Sequence, residues 1–208
     1  DNLASIDSFV GGGLKNVILQ SVISTIVSGN ANMIRNGNQQ CIIAGNNNYA
    51  NGDGMIGGRG VIGAGSQNLN KSGVILSGDS NIGYGNNNSI ILSGSHNSLS
   101  GVYVNSGIGA GYKNIIGFNG SASDSFIGAG QNNQIGVNSL LANIFAGHNN
   151  MNTCVFTMIG AGFNNTVNAG TFYFNQSGGI IASGSDNTIF DKHCSILSGT
   201  HNSASGLY

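Results

Sequence analysis

The sequence predicts an all-β chain wound as a parallel β-solenoid, and three observations carry that prediction. Residue usage disfavours helices. A short motif built around one glycine and one asparagine recurs from end to end, and its spacing is that of a single solenoid turn.

Of 208 residues, 36 are glycine and none is proline or tryptophan. All seven acids are aspartate, a residue that favours turns over helix interiors. The formal net charge of -1 leaves neither a nucleic-acid footprint nor a polybasic membrane patch. The longest apolar stretch, VILQSVISTIV (17–27), is interrupted by Gln20, Ser21 and Ser24. It falls short of the roughly 18 apolar residues a membrane span requires. Nucleic acid and membrane insertion are therefore not expected.

The motif is plainest in SIILSGSHNSLSG (89–101), which CSILSGTHNSASG (194–206) repeats almost letter for letter. Its first element is a strand with an aliphatic residue three places before the glycine: Val10, then isoleucine in every turn from Ile26 to Ile196. Alternation gives that strand two faces. Small residues five and one places before the glycine are expected to flank the isoleucine on the inside. The glycine is the second element, recurring from Gly13 to Gly199 at intervals of 13 to 22 residues and defining about 12 coils. A side chain there is expected to collide with the next turn.

Three residues later comes the third element, always asparagine: Asn16, Asn32, Asn48, Asn68, Asn81, Asn97, Asn114, Asn133, Asn150, Asn165, Asn187 and Asn202. Stacked amides at this position are expected to form a ladder that satisfies its own hydrogen bonds, a structural role needing no ligand. A second strand follows. Its inward position, two after the asparagine, is apolar except at Asn70, Gly83 and Asn152.

The outward face of the first strand is unusually apolar. It carries Phe9 with Gly11, Cys41 with Ile43, Val74 with Leu76, Ile90 with Leu92, Phe126 with Gly128, Met158 with Gly160, and Ile180 with Ala182. A strip of that kind, about 60 Å long at roughly 4.8 Å per rung, is untenable on a monomer. Copies of the same chain are its most economical cover, so self-association through this strip is expected.

In this register the motif resembles the head repeat of the YadA-type trimeric autotransporter adhesins, N-S-V-A-I-G-x-x-S-x-A-x-G. Ile91 falls on its valine, Gly94 on its glycine, Asn97 on its serine, Leu99 on its alanine and Gly101 on its closing glycine. Similar repeats occur in viral fibre proteins. The chain departs from the motif with Ala or Ser before the glycine and Asn in place of Ser. The resemblance implies a left-handed β-roll, three chains side by side, and attachment to surfaces; together with the apolar strip it predicts a homotrimer with the strip from Phe9 to Leu197 turned toward the axis. Cys41, Cys154 and Cys194 fall in different coils without a pairing pattern, which fits a virion fibre assembled in a reducing compartment.

The scattered aspartates lack the spacing of a calcium roll, and GGRGVIGAG precedes no helix that would cradle phosphate. No enzyme activity, metal or cofactor is expected. Three turns carry insertions: YANGDGMIGGR, IIGFNGSASD and TVNAGTFYFNQSG. Tyr49, Arg59, Phe172, Tyr173 and Phe174 on the first and third have the chemistry of surface-contact anchors.

Residues 1–208 are thus expected to form one repetitive β-solenoid domain, a fragment of a longer fibre. Its expected role is attachment to a host or cell surface through a surface glycan or protein. Its expected location is the virion surface or the extracellular or cell surface. The alternatives are a filament-forming functional amyloid and a purely structural stalk or spacer.

Overall fold

A computed structural model describes residues 2–3, 6–52, 59–84, 88–100, 105–117, 122–136, 139–168 and 178–205. The chain divides into two compact units, Asp1–Leu99 and Ser100–Tyr208. Each is a β-solenoid of short parallel strands, and the described residues contain no helix.

In the first unit, the strands that follow the asparagines form one parallel sheet and those that precede the glycines form another, both in sequence order. The asparagine-side sheet includes Val17–Leu19, Met33–Arg35, Tyr49–Asn51, Leu69–Asn70, Ile82–Gly83 and Ser98–Leu99. The glycine-side sheet runs from Phe9–Val10 through Thr25–Ile26, Cys41–Ile42, Gly60–Ile62 and Gly73–Ile75 to Ile90–Ile91. Register stacks like on like: Val10, Ile26, Ile42, Ile62, Ile75 and Ile91 are successive Cα partners. The facing column is Ile18, Ile34, Ala50, Asn70, Gly83 and Leu99. Most of these side chains are fully buried, so the core is a double column of mainly isoleucines.

The second unit repeats the plan. Ile108, Ile127, Ile144, Ile159, Ile181 and Ile196 form its glycine-side column. Ile116, Ile135, Asn152, Val167, Ile189 and Ala204 face them. Ala122–Ser123, near the end of the insertion IIGFNGSASD, pairs in parallel with Ser139–Leu140 of the following turn.

Corners explain the glycine. All twelve motif glycines have φ between 92° and 126°, and a Cβ on Gly45 would overlap the carbonyl oxygen of Gly65 in the next turn. Two residues on, a second left-handed residue turns the chain again. These include Lys15, Ala31, Asn47, Lys113, Asn132 and Asn149, none a glycine.

The chain between the asparagine-side strand and the next glycine-side strand echoes the motif at half scale, a feature the sequence reading missed. In Ser21–Val22–Ile23–Ser24–Thr25–Ile26, Ile23 is left-handed as Lys15 is, and Ser24 is buried where Asn16 is. Ser24 Oγ accepts the Gln40 N–H at 3.4 Å, a weaker copy of the asparagine contact. Each regular 16-residue turn is thus two similar halves around one core.

One inward assignment needs correction. The residue just before the motif glycine is half-buried at the corner in Ser28, Ala44 and Ala64, not enclosed in the core. The strand ends two places earlier, and Ser28 Oγ donates to the Ile43 carbonyl of the next turn at 3.4 Å.

Candidate functional site

The asparagine ladder is the most regular chemical feature of the fold. Asn48 Nδ2 donates to Asn32 Oδ1 at 3.1 Å and to the Gly65 carbonyl at 2.9 Å. Asn32 Oδ1 also accepts the Asn48 backbone N–H at 3.1 Å. Within the first unit the same contacts link Asn16, Asn32, Asn48, Asn68, Asn81 and Asn97. In the second they link Asn114, Asn133, Asn150, Asn165, Asn187 and Asn202. All but Asn202 are buried. Because each amide is spent on its neighbours, this row holds the coil together and offers nothing to a ligand.

The glycine-side sheets present a different surface. In the first unit Phe9, Val27, Ile43, Leu76 and Leu92 are exposed on the outward face; in the second Phe126, Phe145 and Ile180 are. Phe145 is 50% exposed and Leu76 46%. Bulk is redistributed within rungs: Phe9 Cε1 lies 3.0 Å from where a Gly11 Cβ would stand, and Phe126 Cε1 3.4 Å from that of Gly128. The aromatic ring therefore occupies room that the glycine vacates. On the next rung of the second unit the order reverses, with Asn143 before Phe145. The result is a column of ridges and hollows on each unit, apolar on both.

Of the five residues singled out as surface-contact anchors, Phe172, Tyr173 and Phe174 lie outside the described residues. Arg59 is exposed, and its carbonyl accepts the Gly73 N–H at 3.1 Å. Tyr49 is half-buried in the strand Tyr49–Asn51, between Met33 and Leu69 on neighbouring rungs. Tyr49 and Arg59 are thus placed at opposite ends of the first insertion, the tyrosine in the sheet itself.

None of the three cysteines forms a disulfide. Cys41 stands in the outward row of the first unit, and partial burial raises its thiol pKa above the ordinary value. Cys154 is buried in the second unit, its Sγ 3.6 Å from the Val167 carbonyl. Among the described residues no three His, Cys or Asp side chains converge as metal ligands, and no helix is long and apolar enough to cross a membrane. No protein-family model matches the chain, and no curated protein matches its sequence.

Proposed function

We propose that the chain is a structural and adhesive fibre domain: a left-handed roll of about 12 coils that associates as a homotrimer and attaches a virion or cell surface to a host or neighbouring cell. The observation that carries this reading is the apolar column on each glycine-side sheet. Exposed aliphatic and aromatic residues at almost every rung of a two-row column exceed what an isolated soluble domain leaves in water. Ridges beside hollows on single rungs suit a heterologous contact in which the first row of one chain meets the second row of its neighbour. Cyclic closure then yields a discrete oligomer. The near-neutral charge and the self-satisfied asparagine row support a scaffold that displays surfaces and does no chemistry.

Sedimentation and light scattering on the full chain test this. The expected species is a trimer, and Leu76→Ser with Leu92→Ser is expected to dissociate it while leaving the β circular dichroism spectrum in place. A stable monomer at high concentration overturns the proposal. Open-ended fibres that bind amyloid dyes replace it with the filament-forming amyloid.

A further inference from the structure

The turn between glycine and asparagine contributes one more residue to the surface, and in the second unit its chemistry is distinctive. The residue after each motif glycine pairs singly with its counterpart: Tyr112 with Gln131, Gln131 with His148, His148 with Phe163, and Phe163 with Ser185. Both flanking backbones are held. The Gln131 N–H donates to the Gly147 carbonyl at 3.0 Å, and the next residue, Asn132, donates to the Tyr112 carbonyl at 2.9 Å. Side chains in this row therefore project from a fixed, evenly spaced backbone on the narrow edge between the two sheets.

Tyr112 is 38% exposed and Phe163 46%. The His148 ring stands edge-on to Phe163, centroids 5.4 Å apart and planes at 88°. Beside them runs the left-handed row Lys113, Asn132, Asn149, Asn164 and Asp186. Asn149 and Asn164 are exposed, with Asn164 Nδ2 donating to Asp186 Oδ1 at 2.7 Å. The Lys113 ammonium lies 5.0 Å from the Tyr112 centroid. Three of these four rungs carry a ring and the fourth the Gln131 amide, the amides of Asn132, Asn149 and Asn164 stand in the adjacent row, and the charges of Lys113 and Asp186 sit toward the ends.

From this arrangement we infer that the edge carrying Tyr112, Gln131, His148 and Phe163 is a binding platform for an uncharged, extended polysaccharide. A pyranose offers an apolar C–H face to stack on an aromatic ring and a rim of hydroxyls to exchange hydrogen bonds with amides. In an extended chain each sugar advances by about one rung spacing, roughly 4.8 Å, so successive sugars meet successive rungs without bending the ligand. The rigid backbone lowers the ordering needed on binding. A protein partner would be expected to meet clustered apolar anchors. The column on the glycine-side sheet has that character, and this edge does not. In the first unit the corresponding row is Leu14, Asn30, Asn46, Ser66, Asp79 and Ser95, without an aromatic ring, which makes it an internal control.

This inference deepens the attachment reading by naming its ligand class, and rests on that reading only for its setting. Isothermal titration of the full chain with cellohexaose and chitohexaose, with maltohexaose as a differently linked comparison, tests it. Saturable binding of an extended β-1,4-linked probe is expected, stronger than that of maltohexaose. Tyr112→Ser and Phe163→Ser should each weaken it at least tenfold, Tyr112→Phe should restore most of it, and Leu14→Ser in the first unit should leave it unchanged. Sedimentation of the same variants should match the wild type, so that loss of sugar binding is separable from loss of self-association. No binding of either extended probe, or binding that survives both serine substitutions, overturns the inference. A fall in oligomeric mass with Tyr112→Ser also overturns it, because the edge is then covered by a second copy.

Discussion

Asn133 lies between Asn114 and Asn150 and has no exposed surface. Its Nδ2 donates to Asn114 Oδ1 and to the Gly147 carbonyl, and its Oδ1 accepts both the backbone N–H and Nδ2 of Asn150. Removing the amide strands polar atoms on both neighbours, each worth about 1–3 kcal/mol when left unpaired in a dry interior. Asn133→Ala is therefore expected to destabilise the fold by at least about 3 kcal/mol in urea denaturation. Asn202→Ala is the comparison, because Asn202 is exposed and passes its bonds in one direction only; less than about 1 kcal/mol is expected there. The role of this residue was legible in the letters, since an invariant amide three places after a glycine has few other structural uses. The left-handed corners were not. Lys15, Ile23 and Phe156 adopt φ of 57°, 52° and 56°, and nothing in their side chains favours that conformation. Stacking imposes it, and no single-residue preference records a neighbour 16 places away.

At the level of the strand, alternation of residues revealed some features and concealed others. It gave the buried isoleucines and the outward apolar rows, because period two is a local property. It did not explain the three inward exceptions, two of which prove to be paired. Asn70 and Gly83 are neighbours on adjacent rungs, and a Cβ on Gly83 would stand 2.9 Å from Asn70 Oδ1, so the missing side chain makes room for the amide. Asn152 is accommodated differently, accepting from Thr157 Oγ1 at 2.6 Å. Cys41 makes the outward row measurable. With its thiol pKa raised by burial, the reactive thiolate is scarcer at any given pH than in an unhindered cysteine. Alkylation of Cys41 is expected to be slower than that of a model thiol at pH 8. Its rate should keep climbing above the pH at which the model thiol levels off. Mass spectrometry of iodoacetamide-treated protein checks both, and a rate equal to the model thiol's at pH 8 contradicts the burial.

Across each unit, nearly every backbone hydrogen bond joins one turn to the next. Thr25 donates to the Gln40 carbonyl, Val27 to that of Ile42, Thr166 to that of Asn187 and Thr188 to that of Asn202. All of them therefore point along the stacking direction, and that has a mechanical consequence. Tension applied to the two ends of a unit along that direction opens the bonds of one turn face-on, as a zipper opens, and does not shear many turns at once. Each turn released lets its residues extend by about 3.4 Å apiece, so a regular 16-residue turn lengthens the tether by roughly 50 Å after its own rise is subtracted. Stretching one chain in an optical trap should give a train of small, low-force steps of about that size. A single large rupture would mean that the turns yield together. A thread that surrenders length one coil at a time absorbs a sudden pull and rewinds when the load falls, a useful property for anything that must hold on in a moving fluid.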